Sequence, residues 1–360
     1  MKKVITIIML TTSNCNLQCS YCYTKASRRN IQNFDINNVK VLIKNSSIGF
    51  DSIEFCWHGG EPLLVGRKFY NEVIKYQKEE TQRRDVTFYN RLQTNGILID
   101  TVWMDFFRKN GFHFGISLDA PSDIYPIHRK TNVNNLLKTC EIIKKENFPL
   151  GVLCVISKLN VSRGVEIFDW YKSLGVNSFG LLPLKCVPLS SKPLAPTNEE
   201  LFHLYKSIFD LWMWTPNEFS CIEPLDTMIR SMLGQPPKGC SFANSCLKKM
   251  ITIDQNGNVI PCSSLTADNF ILGNILEKPL NKILMETKTK QLRKQRTRHV
   301  NKHCGQCKYI AICRGGCRAN AYWATGKYDG DYPFCEARVK TFDYIEQTFQ
   351  NISKTQRTTL

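Results

Sequence analysis

Long apolar runs are absent from this 360-residue sequence, and none approaches the roughly 20 residues that a membrane-spanning helix needs. That excludes a helical integral membrane protein. The opening MKKVITIIML sets two lysines before a short apolar stretch, as a secretion signal does. It lacks a small-residue cleavage site and runs straight on toward Cys15, so it reads as a first buried strand and the chain as cytoplasmic. Internal repeats of barrel-repeat length and low-complexity tails are missing too. Acidic side chains are in short supply, 31 against 48 Lys and Arg, for a formal net charge of +17. Such a surplus suits an anionic partner or a lysine-rich solvated face. The densest basic run, KTKQLRKQRTRH at 288–299, has no interleaved aromatics to stack on bases. It reads as a basic helix joining two cysteine clusters, and nucleic acid is not expected as a partner.

What is present is enough for a substantial core: 42% of the residues are apolar, so disulfides are not needed to hold the chain together. Apolar, β-branched runs at 4–11, 52–57, 86–93, 112–118, 149–157 and 178–184 predict strands. Amphipathic stretches at 36–47, 67–81, 100–110, 131–147 and 162–174 predict helices between them. Six strands alternating with helices argue for an α/β fold, a parallel sheet of right-handed βα units closed or partly closed into a (β/α)6 TIM-like barrel. After 184 the pattern changes. LKCVPLSSKPLAPTNEE is Pro- and Ser-rich, helices follow near 197–214 and 224–233, and MITIDQNGNVIPC predicts a hairpin of 250–254 and 258–261 turning at DQNGN.

Sixteen cysteines in a chain that is neither short nor evidently exported do not suit a disulfide framework. Close pairs such as Cys304 and Cys307 point instead to metal or iron–sulfur ligation in a reducing compartment. Three cysteines crowd the stretch TTSNCNLQCSYCYTKA, residues 11–26, with three residues between Cys15 and Cys19 and two between Cys19 and Cys22. Structural zinc sites are closed by four protein ligands, so a zinc reading needs a fourth from elsewhere. A four-iron cube held by three corners instead leaves one iron open for a substrate or cosubstrate.

The spacing resembles the radical S-adenosylmethionine (radical SAM) family, whose hallmark is Cys-x3-Cys-x2-Cys after the first barrel strand. Three further segments support the resemblance: HGGEP at 58–62, LQTNG at 92–96 and GISLDAP at 115–121. Each closes a predicted strand, at the face that carries the chemistry of βα barrels. The resemblance implies that Cys15, Cys19 and Cys22 hold a 4Fe-4S cluster whose open iron takes the amino and carboxylate groups of S-adenosylmethionine. It implies that Gly59, Gly60, Glu61 and Pro62 approach the methionine amino group, glycine allowing close backbone approach. Asn95 joins the same cofactor site, and Ser117 and Asp119 meet the ribose hydroxyls. Tyr21 and Tyr23 either pack the adenine or belong to the core. The usual SLDGP is SLDAP here, with Ala120 for Gly. One electron from the cluster would split the sulfonium, and the resulting 5′-deoxyadenosyl radical would remove hydrogen from an unactivated C–H bond.

The second half carries Cys246, Gly257 and Cys262, then Cys304-x2-Cys307-x5-Cys313-x3-Cys317, then Cys335. This resembles the SPASM extension of radical SAM enzymes that act on peptides and proteins. By that resemblance one auxiliary 4Fe-4S cluster takes Cys240, Cys246, Cys262 and Cys317, and a second takes Cys304, Cys307, Cys313 and Cys335, making three clusters in all. Taken without the resemblance, the spacings also suit a pair of zinc ribbons. Cys56, Cys140, Cys154, Cys186 and Cys221 read as buried apolar residues. The implied organisation is a radical SAM core at 1–190, a helical linker at 191–235, the SPASM domain at 236–345 and a C-terminal tail at 346–360.

Fully ligated auxiliary clusters imply electron transfer, with an external donor of the flavodoxin or ferredoxin type. Length and cysteine placement resemble the anaerobic sulfatase-maturing enzymes, which oxidise a Cys or Ser to formylglycine. Those carry an Asp, the proposed base, directly after the equivalent of Cys262. Here that position is Ser263, in PCSSL, and an unactivated hydroxyl is a poor base. No catalytic base is assigned. The sequence therefore points to a maturase that modifies a ribosomally synthesised peptide or protein, by a crosslink such as a cyclophane or thioether or by another side-chain oxidation. PTNEELFHLYKSIFDLW and IEPLDTMIRSMLG loosely resemble segments of cyclophane-forming maturases. The alternatives are formylglycine formation, a radical SAM dehydrogenase of a small molecule such as a sugar, and a non-catalytic zinc-ribbon protein that binds nucleic acid. No leader-binding domain is expected in the short stretch before Cys15. A separate leader-peptide-binding protein would then present the substrate, or the barrel would read it directly, and the positive surface would suit an acidic leader.

Overall fold

The computed structural model describes residues 2–23, 31–185 and 189–358. Cys186, read as a buried apolar residue, lies outside them. The first half of the chain alternates strand and helix as β1 (Val4–Thr12), α1 (Val39–Ser47), β2 (Ser52–Gly59), α2 (Gly66–Arg84), β3 (Thr87–Thr94), α3 (Thr101–Asn110) and β4 (Phe112–Ser117). It continues through α4 (Ile124–Arg129), α5 (Asn134–Lys145), β5 (Gly151–Ile156), α6 (Gly164–Ser173) and β6 (Ser178–Pro183). Then come α7 (Asn198–Trp214), β7 (Cys221–Glu223), α8 (Leu225–Met232) and α9 (Cys240–Ala243). The hairpin β8 (Met250–Ile253) and β9 (Asn258–Ile260) leads to β10 (Gly273–Asn274) and the turn α10 (Leu280–Ile283). The chain closes with α11 (Thr287–His303), α12 (Ile310–Cys313), α13 (Arg318–Thr325) and α14 (Cys335–Thr358).

The described residues of Met1–Leu118, Pro126–Gly151 and Ser245–Arg296 form one compact unit, and those of Asp119–Tyr125, Val152–Asn244 and Thr297–Leu360 form a second. In the first unit β8, β1, β2, β3 and β4 lie side by side and parallel, with β9 and then β10 added antiparallel beyond β8. The pleat sends alternate residues to opposite faces. Ile5, Ile7 and Met9 of β1 and Ile53, Phe55 and Trp57 of β2 are all buried. Trp57 stacks on Phe55 with centroids 4.9 Å apart and meets Tyr70 of α2 edge-on at 5.6 Å. The other face of the same strands is mixed: beside Ile8 and Cys56, Thr6 donates to Glu54 at 3.2 Å, and Glu54 pairs with Arg91 at 2.5 Å.

In the second unit the strand order is β5, β6, β7, with β6 and β7 parallel. Phe168 and Tyr171 of α6 pack against Phe219 and Phe179, each pair about 5 Å apart centroid to centroid. Helix α7 packs between α6 and α14. Tyr344 donates to Asp210 at 2.7 Å, and the Asn198 side chain bridges Pro333 O and Ala337 N, each at 3.0 Å.

The six predicted strands form within two residues of their expected ends. Three features differ from expectation. The stretch read as a helical linker, 191–235, also carries a strand, β7, which extends the sheet past β6. The hairpin expected in the cysteine-rich region does not stand apart in a domain of its own, because β8 pairs with β1 from Thr6–Met250 to Met9–Ile253. Ile251, Thr252 and Ile253 are all buried, and a strand buried on both sides needs a partner at each edge. The segment read as a tail, 346–360, continues α14 as helix through Thr358. No helix of the described residues is long and apolar enough to cross a membrane.

Helix α7 begins at a capping box, in which Thr197 accepts from Glu200 N at 3.2 Å and the Glu200 carboxylate accepts from Thr197 N at 2.7 Å. Thr197→Ala should cost about 1 kcal/mol, read as a lower urea midpoint with an unchanged slope. A midpoint that does not move would mean the cap contributes nothing in this packed setting.

Candidate active site

Strand β1 ends at Thr12, where the chain turns into the loop of Cys15, Cys19 and Cys22. Ser13 ties this loop down by exchanging hydrogen bonds with Gln32, both at 2.8 Å. The Gly59–Gly60 turn at the end of β2 lies directly against it. Gly60 N donates to Thr12 O at 2.7 Å and Glu61 N to Asn14 O at 2.8 Å. A Cβ on Gly60 would fall 1.9 Å from Asn14 O, and one on Gly59, at φ +129°, 2.5 Å from Thr12 O. Glycine is required at both positions because no side chain fits.

Glu61 is fully buried and both of its oxygens are engaged. Oε1 accepts from Leu63 N at 3.0 Å and from Thr94 Oγ1 at 2.8 Å, while Oε2 accepts from Asn95 N at 2.9 Å. The carboxylate therefore joins the turn after β2 to the end of β3, with Pro62 buried beside it. Asn95 Nδ2 donates to Asn16 Oδ1 at 2.7 Å and reaches Cys15 Sγ at 3.9 Å. Ser117, at the end of β4, accepts from Gln93 Nε2 at 3.1 Å. The cysteine loop, the Gly-Gly-Glu-Pro turn, Asn95 and Ser117 thus belong to one compact unit. Asp119 belongs to the other, where it is buried and accepts from Val155 N of β5 at 2.8 Å.

Tyr21 meets His128 edge-on at 5.1 Å and lies 5.4 Å from the Arg129 guanidinium. Arg129, itself buried, reaches Cys19 Sγ through Nη1 at 3.9 Å. Sequence reasoning missed this arginine, since 110 residues separate it from Cys19 and the short helix α4 carries no signal of its own. On the other side of the loop, Tyr23 Oη donates to Ser263 Oγ at 3.3 Å. Ser263 is buried, and the neighbouring Ser264 hydroxyl lies 3.3 Å from Cys262 Sγ.

Cys304, Cys307, Cys313 and Cys335 line one cavity of about 320 Å³ in the second unit. Four sulfurs bound to one zinc at about 2.3 Å would stand roughly 3.8 Å apart. Among the described residues only Cys221, Glu223 and Asp226 bring three such ligand atoms within 4.8 Å of one another. The four thiols face one cavity that leaves room for a group larger than one ion. Burial pushes the Cys304 and Cys335 thiols up, a cost that metal coordination removes. Arg338, buried at the same cavity, donates to Cys313 Sγ at 3.5 Å. The set read as the other auxiliary site divides between the units, Cys246 and Cys262 in the first, Cys240 and Cys317 in the second. The Cys221 group is already balanced in part, since Asp226 is held by Arg230 at 2.8 Å and Lys238 at 3.4 Å.

The chain is also similar to known proteins. The radical SAM superfamily profile matches residues 9–171, and that of SPASM, an iron–sulfur cluster-binding domain, matches residues 240–308. The cysteine-type anaerobic sulfatase-maturating enzyme of Clostridium novyi (strain NT) is 30% identical over 373 residues, covering 98% of this chain and 96% of that protein. The chain belongs to the radical SAM family. The solved structure of native anSMEcpe with bound AdoMet has the same fold, with a TM-score of 0.86 at 22% identity over 97% of this chain and 99% of that one. The same holds for native anSMEcpe with bound AdoMet and Cp18Cys peptide, at a TM-score of 0.85 and 22% identity over 98% and 99% of the two chains.

The cofactors of this radical SAM enzyme are accordingly 4Fe-4S clusters and S-adenosylmethionine. The residues present fit them. The Cys15 sulfur accepts from Leu17 N at 3.4 Å, and N–H donors of this kind stabilise thiolate ligands. Burial pushes the Glu61 carboxyl up to about 7, against the lowering effect of Asn95 N, Leu63 N and Thr94 Oγ1. Among the described residues no Lys or Arg pairs with it, which suits a carboxylate that meets a cationic ligand.

A carboxyl whose pKa is raised on folding stabilises the fold fully below its ordinary value, and that stability is lost as pH rises through the folded value. The melting temperature of the ligand-free enzyme minus that of Glu61→Gln should thus fall between about pH 4.5 and about pH 7 and level off above. A difference that is flat across this window would contradict the burial argument.

Proposed function

We propose that this radical SAM enzyme oxidises a side chain of a peptide or protein and joins it to another through a crosslink. The observation that carries the reading is the Tyr23–Ser263 hydrogen bond at 3.3 Å. It occupies the place where the resemblance to sulfatase-maturing enzymes calls for an Asp base. Neither hydroxyl takes a proton from a thiol or an alcohol unaided near neutral pH. Closing a bond onto an aromatic ring asks less of the protein, because the adduct is itself acidic and loses its proton readily.

When bound, the first cluster and S-adenosylmethionine supply a species that removes hydrogen from an unactivated C–H bond. Cys15, Cys19 and Cys22 would hold that cluster. The backbone at Gly59 and Gly60, with Glu61 and Pro62, would receive the methionine ammonium; Asn95, which donates to Glu61, would orient the turn, and Ser117 and Asp119 would serve the ribose. Arg129, a buried cation beside Cys19, would meet the methionine carboxylate. Cys240, Cys246, Cys262 and Cys317, and separately Cys304, Cys307, Cys313 and Cys335, would hold auxiliary clusters that carry electrons to or from an external protein. The substrate would be a peptide with an acidic segment, in keeping with the net charge of +17, recognised directly or through a leader-binding protein.

A second reading, formylglycine formation, is favoured by the likeness to the Clostridium novyi sulfatase-maturating enzyme over 98% of the chain. One anaerobic experiment separates the two. The reconstituted enzyme is given peptides encoded beside its gene and, separately, a cysteine peptide from a sulfatase. Crosslinking removes two hydrogens and leaves no carbonyl, whereas formylglycine yields an aldehyde that a hydrazine captures. Aldehyde from the sulfatase peptide with Ser263 intact would overturn the first reading in favour of the second. Three cubes predict about twelve irons per chain, and replacing Cys15, Cys19 and Cys22 with Ala should abolish 5′-deoxyadenosine while sparing about two-thirds of that iron. Zinc without sulfide would end both readings.

A further inference from the structure

Arg338 lies one turn after Cys335 on α14 and is 7% exposed. Its guanidinium is held between two rings, 3.8 Å from the Phe242 centroid and 4.5 Å from that of Tyr332. Nη1 donates to Ser241 O at 3.2 Å and to Cys313 Sγ at 3.5 Å; Nη2 donates to Ser241 Oγ at 3.4 Å and to Tyr332 Oη at 3.2 Å. Hydrogen bonding is therefore satisfied, but charge is not. Among the described residues no carboxylate pairs with Arg338, and an arginine keeps its proton even when buried. An isolated buried charge is strongly unfavourable, so a negative partner is called for where the guanidinium points.

It points at the cavity lined by Cys304, Cys307, Cys313 and Cys335. The other charged side chains on that wall, His303 and Asp331, face each other at 3.2 Å. A protonated His303 would cancel Asp331, and a neutral one would leave the acid 71% exposed and screened by solvent. Two buried cations act here: Arg338 on the cavity wall, where it bonds Cys313 Sγ, and Arg318, whose charge reaches Cys304. An iron–sulfur cube with four thiolate ligands is a net anion, and its charge becomes more negative when it takes up an electron. A fixed positive charge in a low-dielectric setting favours the more negative state, and an N–H bond to a ligating sulfur acts in the same direction.

We propose that Arg338 is the built-in counter-ion of the cluster held by Cys304, Cys307, Cys313 and Cys335, and that its charge raises the reduction potential of that cluster. The proposal rests on the reading of these four cysteines as cluster ligands. Its consequence is that this site accepts an electron more readily than cysteine ligation alone would allow. Arg338 is a positioning residue in this role: it acts on the cluster and touches no reacting bond.

The test is an EPR-monitored redox titration of the reconstituted, fully loaded enzyme, with iron counted in each variant. Arg338→Met, which removes the charge and keeps the length, should lower the midpoint of one cluster signal by at least about 59 mV, a tenfold change in a one-electron equilibrium constant. The other signals should stay where they are. Arg338→Lys, which keeps the charge, should restore most of the shift. Unmoved midpoints in a fully loaded Arg338→Met, or equal shifts in the two variants, would overturn the proposal. If Arg338→Met is short of iron, Arg338→Lys decides: full iron at the wild-type midpoint upholds the role of charge, while loss of iron there too overturns it in favour of guanidinium shape. The ligand reading is tested separately by Cys307→Ala. Full iron and unchanged signals in that variant would sink the ligand reading, whatever Arg338 does.

Discussion

At the end of β2 the backbone of Gly60 passes so close to the carbonyl of Asn14 that a methyl group would overlap it. Two hydrogen bonds, Gly60 N to Thr12 O and Glu61 N to Asn14 O, hold the strands there. Everything assigned to the cofactor depends on this seam. It fixes the start of the cysteine loop against the turn expected to receive the methionine group, and it places Glu61 where its carboxylate can tie β2 to the end of β3. A loop with thiols alone would be a mobile chelator; anchored at this seam, it presents its sulfurs from a defined edge of the sheet.

The polar groups near the sulfurs follow one physical rule. Buried thiolates need positive or donating neighbours, since burial alone favours the neutral thiol. Cys15 has Leu17 N and the Asn95 amide within reach, Cys19 has Arg129, Cys262 has the Ser264 hydroxyl, and Cys313 has Arg338. These donors differ in charge and in strength. Arg129, Arg296, Arg318 and Arg338 are all buried, as are Glu61, Glu80, Asp119 and Asp226, so burial leaves the basic surplus at the surface.

What could be read from the sequence, and what could not, divides by range. The strands were legible because each is a local apolar run: β1, expected at 4–11, spans Val4–Thr12. The cysteine spacing and the Gly-Gly-Glu-Pro turn were legible because loop geometry and close backbone approach constrain residue type locally. Strand β7 was hidden, since Cys221–Glu223 is only three residues long and abuts a proline. Pairings across long stretches of chain were also hidden. Tyr23 meets Ser263 across 240 positions, and nothing near either residue announces the other. Arg129 and Arg338 were passed over because arginine is ordinarily exposed, and only a folded interior shows which arginines are not.

The pairing of β8 with β1 changes how the two halves of the chain depend on each other. Strand β1 is an interior strand only because residues 250–253 cover one of its edges. A fragment that stopped at residue 245 would keep the first cysteine loop but expose the bare edge of an apolar strand, the kind of surface that recruits other chains. The cysteine-rich region is thus also a guard against self-association, and the protein cannot be shortened to its radical-generating portion without making it sticky.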